Sequence, residues 1–221
     1  MALNALQSHL ERIYRISVDY SVEDFLITDA ALARELDTSI GARESREKLL
    51  VRQSADSLDL SLYLDEEVVE HLSGQPPEEW LRSVRPDAFL LALEGVSHFL
   101  YVIWNAGFQK PVTLMELEMQ AEVDKFVTGA LFASVQSDVP RPEQLLDVLF
   151  ERAAFDAELS DNALSMYRNA SRYASRYCRH LESRFRGVYG GWDMMEELRY
   201  FYRLDQPEKV RHIESNTRLL S

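Results

Sequence analysis

Apolar positions near the start of the chain recur at helical spacing. Leu3, Leu6, Leu10, Ile13 and Tyr14 fall on one face of a helix predicted over 2–16. VEDFLI (22–27) reads as a short strand, and Asp29 is placed to cap a helix running through Leu36. The period then changes. Leu58, Leu60, Leu62 and Leu64 alternate with Asp59, Ser61 and Tyr63, which is the signature of a strand with one face buried. KLLVRQ just before it is the expected hairpin partner, turning near Ala55-Asp56, while TSIGARESRE upstream reads as a polar connector. DEEVVEHL follows as a helix capped by Asp65, with its early acids suited to the helix dipole.

GQPPEE is the sharpest break in the pattern. Beyond it the periodicity is helical only, over about 86–106, 113–136, 142–158, 161–187, 192–203 and 207–215. Pro86, Pro111, Pro142 and Pro207 stand at or just before helix starts, where a missing N–H costs little. Thr113 with Glu116 has the spacing of a capping box. The expected fold is mostly α within the α+β class. A small α+β portion over 1–75 carries a β-hairpin near 48–64, and 76–221 form a bundle of about six helices, packed together as one compact unit.

Two helices are chemically odd. PDAFLLALEGVSHFLYVIWNAG is apolar almost all round, yet Asp87, Glu94, His98, Tyr101 and Asn105 share an arc of roughly 60° on ideal helical geometry. If buried, each of these groups needs a partner. Glu94 and His98 at i,i+4 are spaced as metal ligands or an acid–base pair would be. Glu118 and Glu122 on the next helix have the same spacing. Two antiparallel helices would thus gather three carboxylates and one imidazole, the ligand types of carboxylate-bridged di-metal bundles. The spacing differs from the Glu-x-x-His of those proteins, and Glu pairs at i,i+4 are common on acidic helices. A divalent metal at Glu94, His98, Glu118 and Glu122 is therefore one reading. A pocket without metal, a wet helix side, or an internal network with arginine partners are the others.

The second odd helix contains YRNASRYASRYCRHLESRFR (167–186). Arg168, Arg172, Arg176, Arg179 and Arg186 fall within an arc of roughly 80°, opposite the apolar set that includes Tyr173, Tyr177 and Leu181. A plain solvated face is one reading, and pairing with an acidic face of this chain or a second copy, or with an anionic ligand, are the others. A solvated face usually mixes charge signs, and here only Glu182 lies near the stripe. Arginine suits bidentate pairing with carboxylate or phosphate. His71 after Glu67 reads as a surface pair, His180 as a boundary residue and Cys178 as packed.

Composition narrows the choice. The formal net charge is -13 over 221 residues. Residues 1–159 hold 13 basic against 29 acidic side chains and residues 160–221 hold 11 against 8. An acidic body argues against general nucleic-acid binding, which needs a positive field. The arginines and tyrosines also lie on opposite sides of their helix, not on one stacking surface. A single cysteine excludes an internal disulfide and favours a reducing compartment. MALNALQSHLERIYR lacks the pattern of an export signal, and Glu94 in the apolar stretch Phe89 to Phe108 disfavours a membrane span. The expectation is a cytoplasmic protein-interaction module that self-associates through acidic and arginine-rich faces. The alternatives are a metal- or small-ligand-dependent enzyme using the Glu/His seam, and local nucleic-acid binding through the arginine helix.

Overall fold

A computed structural model describes residues 2–37, 45–54, 57–73, 86–135, 140–151 and 160–217. Helix α1 (Ala2–Tyr14) buries Leu3, Leu6, Leu10, Ile13 and Tyr14, the stripe set by their spacing. It ends at Arg15, whose φ of 49° cannot continue a right-handed helix. VEDF is a 3-10 turn (Val22–Phe25) and only Leu26–Ile27 form strand β1. The expected six-residue strand is thus shorter, because the acidic pair Glu23 and Asp24 occupies the turn, where Asp24 N–H bonds Ser21 O at 3.0 Å. Helix α2 (Ala30–Leu36) is capped as its sequence predicts, with Asp29 accepting from Ala31 and Leu32 N–H.

Strands β2 (Glu47–Gln53) and β3 (Leu58–Leu64) pair antiparallel, and β1 joins β3 parallel, giving the order β1-β3-β2. The expected turn at 55–56, the break at GQPPEE and most of the connector lie outside the described residues. Glu47 stands opposite Leu64, Leu49 opposite Leu62 and Val51 opposite Leu60. These partners share one sheet face, which packs on the helices at its Glu47, Leu62 and Leu64 end while Val51 is exposed. The other face buries Leu50 and Tyr63 with Ala33 of α2. Helix α3 (Glu66–Leu72) follows, capped by Asp65.

Helix α4 (Pro86–Gly107) is long and apolar enough by composition to cross a bilayer, yet 61% of that stretch is buried inside the fold, as in a core helix. Helix α5 (Leu114–Val135) returns antiparallel to it. Thr113 Oγ1 accepts from Glu116 N–H, half of the expected capping box. The Glu116 side chain does not complete the box; it accepts from Tyr101 O–H on α4 instead. Helix α6 (Pro142–Leu146) runs into a wider π-helical turn (147–151), and the rest of the helix expected to reach 158 lies outside the described residues. Helix α7 (Asp161–Phe185) lies along α5, and α8 (Trp192–Arg203) and α9 (Gln206–Thr217) close the bundle. The fold is mostly α with a small β part. Leu3, Leu62, Val68, Phe89 and Phe201, drawn from both ends of the chain, belong to one continuous apolar core.

The last two helices are tied in by cations. Arg199 and Arg203 donate to the carbonyls of Ile13 and Tyr14 at the C-terminus of α1, where positive charge is favoured. Lys209 on α9 is fully buried, and its ammonium donates to Gln120 Oε1 on α5 and to Phe201 O on α8, each at 2.8 Å. The ring of Phe201 lies 4.1 Å away and that of Tyr101 5.4 Å. Burial pulls the Lys209 pKa down to about 7, against the opposing pull of the Glu116 and Asp124 carboxylates. The native chain then gives up this proton before the unfolded chain does, so folding stability gains as pH rises from about 7 toward the ordinary lysine value of 10.5. Chemical denaturation across that range will show the stability advantage of wild type over Lys209→Met increasing with pH and flat below it. A difference that stays constant through the range contradicts the assignment.

Candidate functional site

Strand β2 begins with a carboxylate on an otherwise apolar face. Glu47 leads the row Glu47, Leu49, Val51, so its side chain is turned toward α4 and is only 7% exposed. The close approach depends on Gly95. A Cβ at that position would meet Leu62 Cδ1 at 2.8 Å and Glu47 Cγ at 3.2 Å. Without it the strand rests on the helix backbone, and Glu47 comes between the i,i+4 pair Glu94 and His98. One ligand-capable atom from each of Glu47, Glu94 and His98 lies within 4.8 Å of the others, a group that could hold a metal ion.

Helix α5 supplies the facing side. Lys125 Nζ binds Glu94 Oε2 at 2.6 Å and Glu122 Oε1 at 2.8 Å. His98 Nδ1 stands 3.3 Å from Glu47 Oε1, and Nε2 stands 3.9 Å from Glu118 Oε1. The second distance is too long for a hydrogen bond. His98 is 4% exposed, and its Nε2 has no hydrogen-bond partner among the described residues. Glu118 has none either.

The electrostatics follow from this geometry. Burial works against a charged imidazole, but the Glu47 carboxylate outweighs it, helped by Glu118 and Glu94, and lifts His98 to about 9. Burial also raises Glu47, with the His98 charge opposing. Glu118 is pushed up to about 7, by burial first and then by repulsion from Glu94 and Glu47. Glu94 shares the burial but sits below the usual carboxylate value because Lys125 is beside it. Near neutral pH the cluster therefore holds a charged His98 next to a carboxyl, Glu118, that is about half ionised.

These groups open on a cavity of about 450 Å³. Its wall includes Glu47, Glu94, His98 and Glu118, with Asp37 and Lys48 at one side and Leu49, Leu114, Leu117 and Tyr167 completing it. Lys48 is ion-paired to Asp37. The wall carries more acid than base, and the base it has is committed.

The expected seam thus divides. Glu94 and His98 reach the cavity. Tyr101 and Asn105 are fully buried in internal bonds, Tyr101 O–H to Glu116 and Asn105 Nδ2 to Tyr101 O at 2.8 Å. Asp87 is exposed and lies 3.3 Å from Arg46. Among the expected metal ligands, Glu94, His98 and Glu118 line the cavity, whereas Glu122 is bound to Lys125 and does not. Glu47 and Lys125 are the members that helix spacing did not reveal. Glu47 was legible as the first residue of an alternating row, Glu47-Leu49-Val51, had the strand been begun one residue earlier.

The arginine face is largely answered within the chain. Arg179 pairs with Glu151, and Arg186 pairs with Glu182 at 2.6 Å and Glu143 at 3.8 Å. Arg176 donates to Thr217 Oγ1. Arg168 and Arg172 are exposed and have no carboxylate partner among the described residues; Arg172 lies 4.9 Å over the Tyr173 ring. Cys178 is fully buried, and burial raises its thiol pKa, which makes it a packing residue. His180 is half-buried and its pKa is lowered by burial. His71 ends α3, in its last turn.

Comparison of the chain with family models, with curated proteins and with solved structures returns no match. Function therefore has to be read from the site.

His98 gives a direct check on the site. Its ring resonances should titrate near pH 9 in NMR spectra of the folded protein. The folded pKa is raised, so the Glu47–His98 pairing stabilises the fold fully below the ordinary histidine value of 6.5 and is lost as pH rises through 9. Glu47→Gln should lower the His98 pKa by at least about one unit. Gly95→Ala should shift it the same way, by displacing Glu47. An unchanged titration in Glu47→Gln contradicts the pairing.

Proposed function

We propose that this chain binds a small ligand carrying a cationic group, an amine or guanidinium, in the cavity between β2, α4 and α5. The observation that supports this most is the mismatch across the 3.9 Å gap between His98 Nε2 and Glu118 Oε1. A buried donor and a carboxylate face each other on a cavity wall, too far apart to bond, and neither has another protein partner among the described residues. Leaving the buried His98 donor unmatched costs about 1–3 kcal/mol. An ammonium or guanidinium placed there donates to Glu118, and an acceptor elsewhere on the same ligand takes the His98 N–H. The acid surplus of the wall selects for positive charge, and the apolar part gives the ligand body a surface. The volume falls within the range of about 300–1,000 Å³ found for small-molecule sites.

The same groups can move a proton. Glu118, pushed up to about 7, and His98, raised to about 9, titrate at and just above neutral pH from adjacent positions. That supports general acid–base chemistry on a bound ligand, with Glu118 as the base and the His98–Glu47 pair as the acid.

Titration with methylamine, arginine and spermidine, followed by amide NMR, tests the binding reading. At least one probe should give saturable shifts at Gly95, His98 and Glu118, with affinity tighter than about 10 mM. Glu118→Gln should weaken it about tenfold or more. Absence of saturable shifts, or equal affinity in Glu118→Gln, refutes it.

Self-association is the second reading, and Arg168 with Arg172 is the observation that favours it. They are exposed cations without a carboxylate among the described residues, in a strongly acidic protein. A second copy offers the complementary charge. Light scattering should then report a mass above 25.6 kDa that falls to that of one chain in the Arg168→Glu/Arg172→Glu variant. A wild-type mass of a single chain, or a variant mass equal to a multimeric wild type, removes this reading.

A further inference from the structure

The geometry points to a divalent transition-metal site of the zinc type formed by Glu47, Glu94 and His98. It rests on the reading that the cavity takes a cation, and names that cation as the metal itself. The ligand atoms come from three separate places, β2 and two positions one turn apart on α4, and still lie within 4.8 Å of one another. Tetrahedral zinc bonds of about 2.0–2.1 Å place neighbouring ligand atoms about 3.3–3.4 Å apart. The His98 Nδ1 to Glu47 Oε1 separation is already 3.3 Å. Glu94 spends only Oε2 on Lys125, which leaves Oε1 without a hydrogen bond among the described residues.

A second observation points to a ligand independently of the carboxylate cluster. His98 is more than nine-tenths buried, lines the cavity, and has an unpartnered Nε2. The ring meets a carboxylate on each side, Glu47 at Nδ1 and Glu118 at Nε2. Nδ1, 3.3 Å from Glu47, is placed to ligate, while Glu118 faces Nε2 across 3.9 Å and orients the ring by charge, not through a hydrogen bond. Imidazole with carboxylates is borderline-soft and suits zinc or a neighbouring first-row ion better than calcium or magnesium. Three protein ligands leave a fourth position open toward the cavity, the arrangement of a catalytic and not a structural site.

The test is calorimetric titration of ZnCl2 into the chelator-treated 221-residue chain, with stoichiometry checked by native mass spectrometry. One zinc per chain is expected, with a Kd below about 10 μM. Glu47→Gln and His98→Gln should each weaken it at least about tenfold. Glu67→Gln/His71→Gln, which removes the acidic and imidazole pair of α3, should bind as wild type does. Where His98→Gln fails to fold by circular dichroism, Glu94→Gln gives the same reading. No binding tighter than about 100 μM overturns the proposal. So does zinc binding that survives Glu47→Gln and Glu94→Gln, or that disappears with the α3 pair, either of which marks an adventitious ion only. Zinc binding without amine binding leaves the metal site and removes the organic ligand. Amine binding without zinc does the reverse.

Discussion

A carboxylate taken out of water needs a proton, a hydroxyl or a cation beside it. Five of them, Glu47, Glu94, Glu116, Glu118 and Asp124, sit where α4 and α5 meet each other, β2 and α1, and meeting that need sets how these elements pack. Asp124 receives Tyr14 O–H, Ser97 Oγ–H at 2.6 Å and Gln120 Nε2 at 2.9 Å, so one residue ties α1 and α4 to α5. Glu116 takes Tyr101 O–H. Glu94 takes Lys125, and Glu47 takes His98. Apart from Gln120–Asp124 within α5, each pairing joins two different elements, so a slide of α4 along α5 by one turn would strip several at once. Only Glu118 is left without such a bond among the described residues. The pattern that fixes the packing is therefore also the pattern that marks the site, because the shortfall of positive charge falls where a cavity opens.

The rest of the architecture serves that seam. Gly95 lets the sheet lie against α4 closely enough for a strand residue to join a helix pair. Lys209, Arg199 and Arg203 bind the last two helices back onto α5, α8 and the end of α1. The arginines of α7 belong to a different economy. Most are matched to carboxylates or a hydroxyl of their own chain on the outer surface, in solvent, where such pairs contribute little to stability. Concentrated positive charge in a sequence is thus a poor guide here, and the informative charges are the few that are buried.

Much of this was legible from residue pattern alone. Period-two leucines located β3, the caps at Asp29 and Asp65 located helix starts, and the polar arc on α4 singled out Glu94 and His98 correctly as neighbours on one face. Their setting was not legible. Helical arithmetic gives the face of a residue but not what is packed against it, so it grouped Glu94 with His98, Glu118 and Glu122 and left out Lys125, which binds both Glu94 and Glu122. Glu47 lies 51 residues from His98 along the chain. Its role depends on the strand register and on a missing side chain at Gly95, neither of which leaves a local signal. VEDFLI failed for a related reason: its apolar ends suggested a strand, while the two acids inside it favoured a turn.

The shortfall of positive charge beside Glu118 can be seen directly by X-ray diffraction from crystals grown in ZnCl2 and, in parallel, in chelator. With zinc, an anomalous peak should lie about 2.0–2.2 Å from His98 and from oxygens of Glu47 and Glu94. In chelator, the His98–Glu118 gap should remain open and hold solvent or another cation. A closed gap with a direct His98–Glu118 hydrogen bond, and no peak with zinc, would contradict the site.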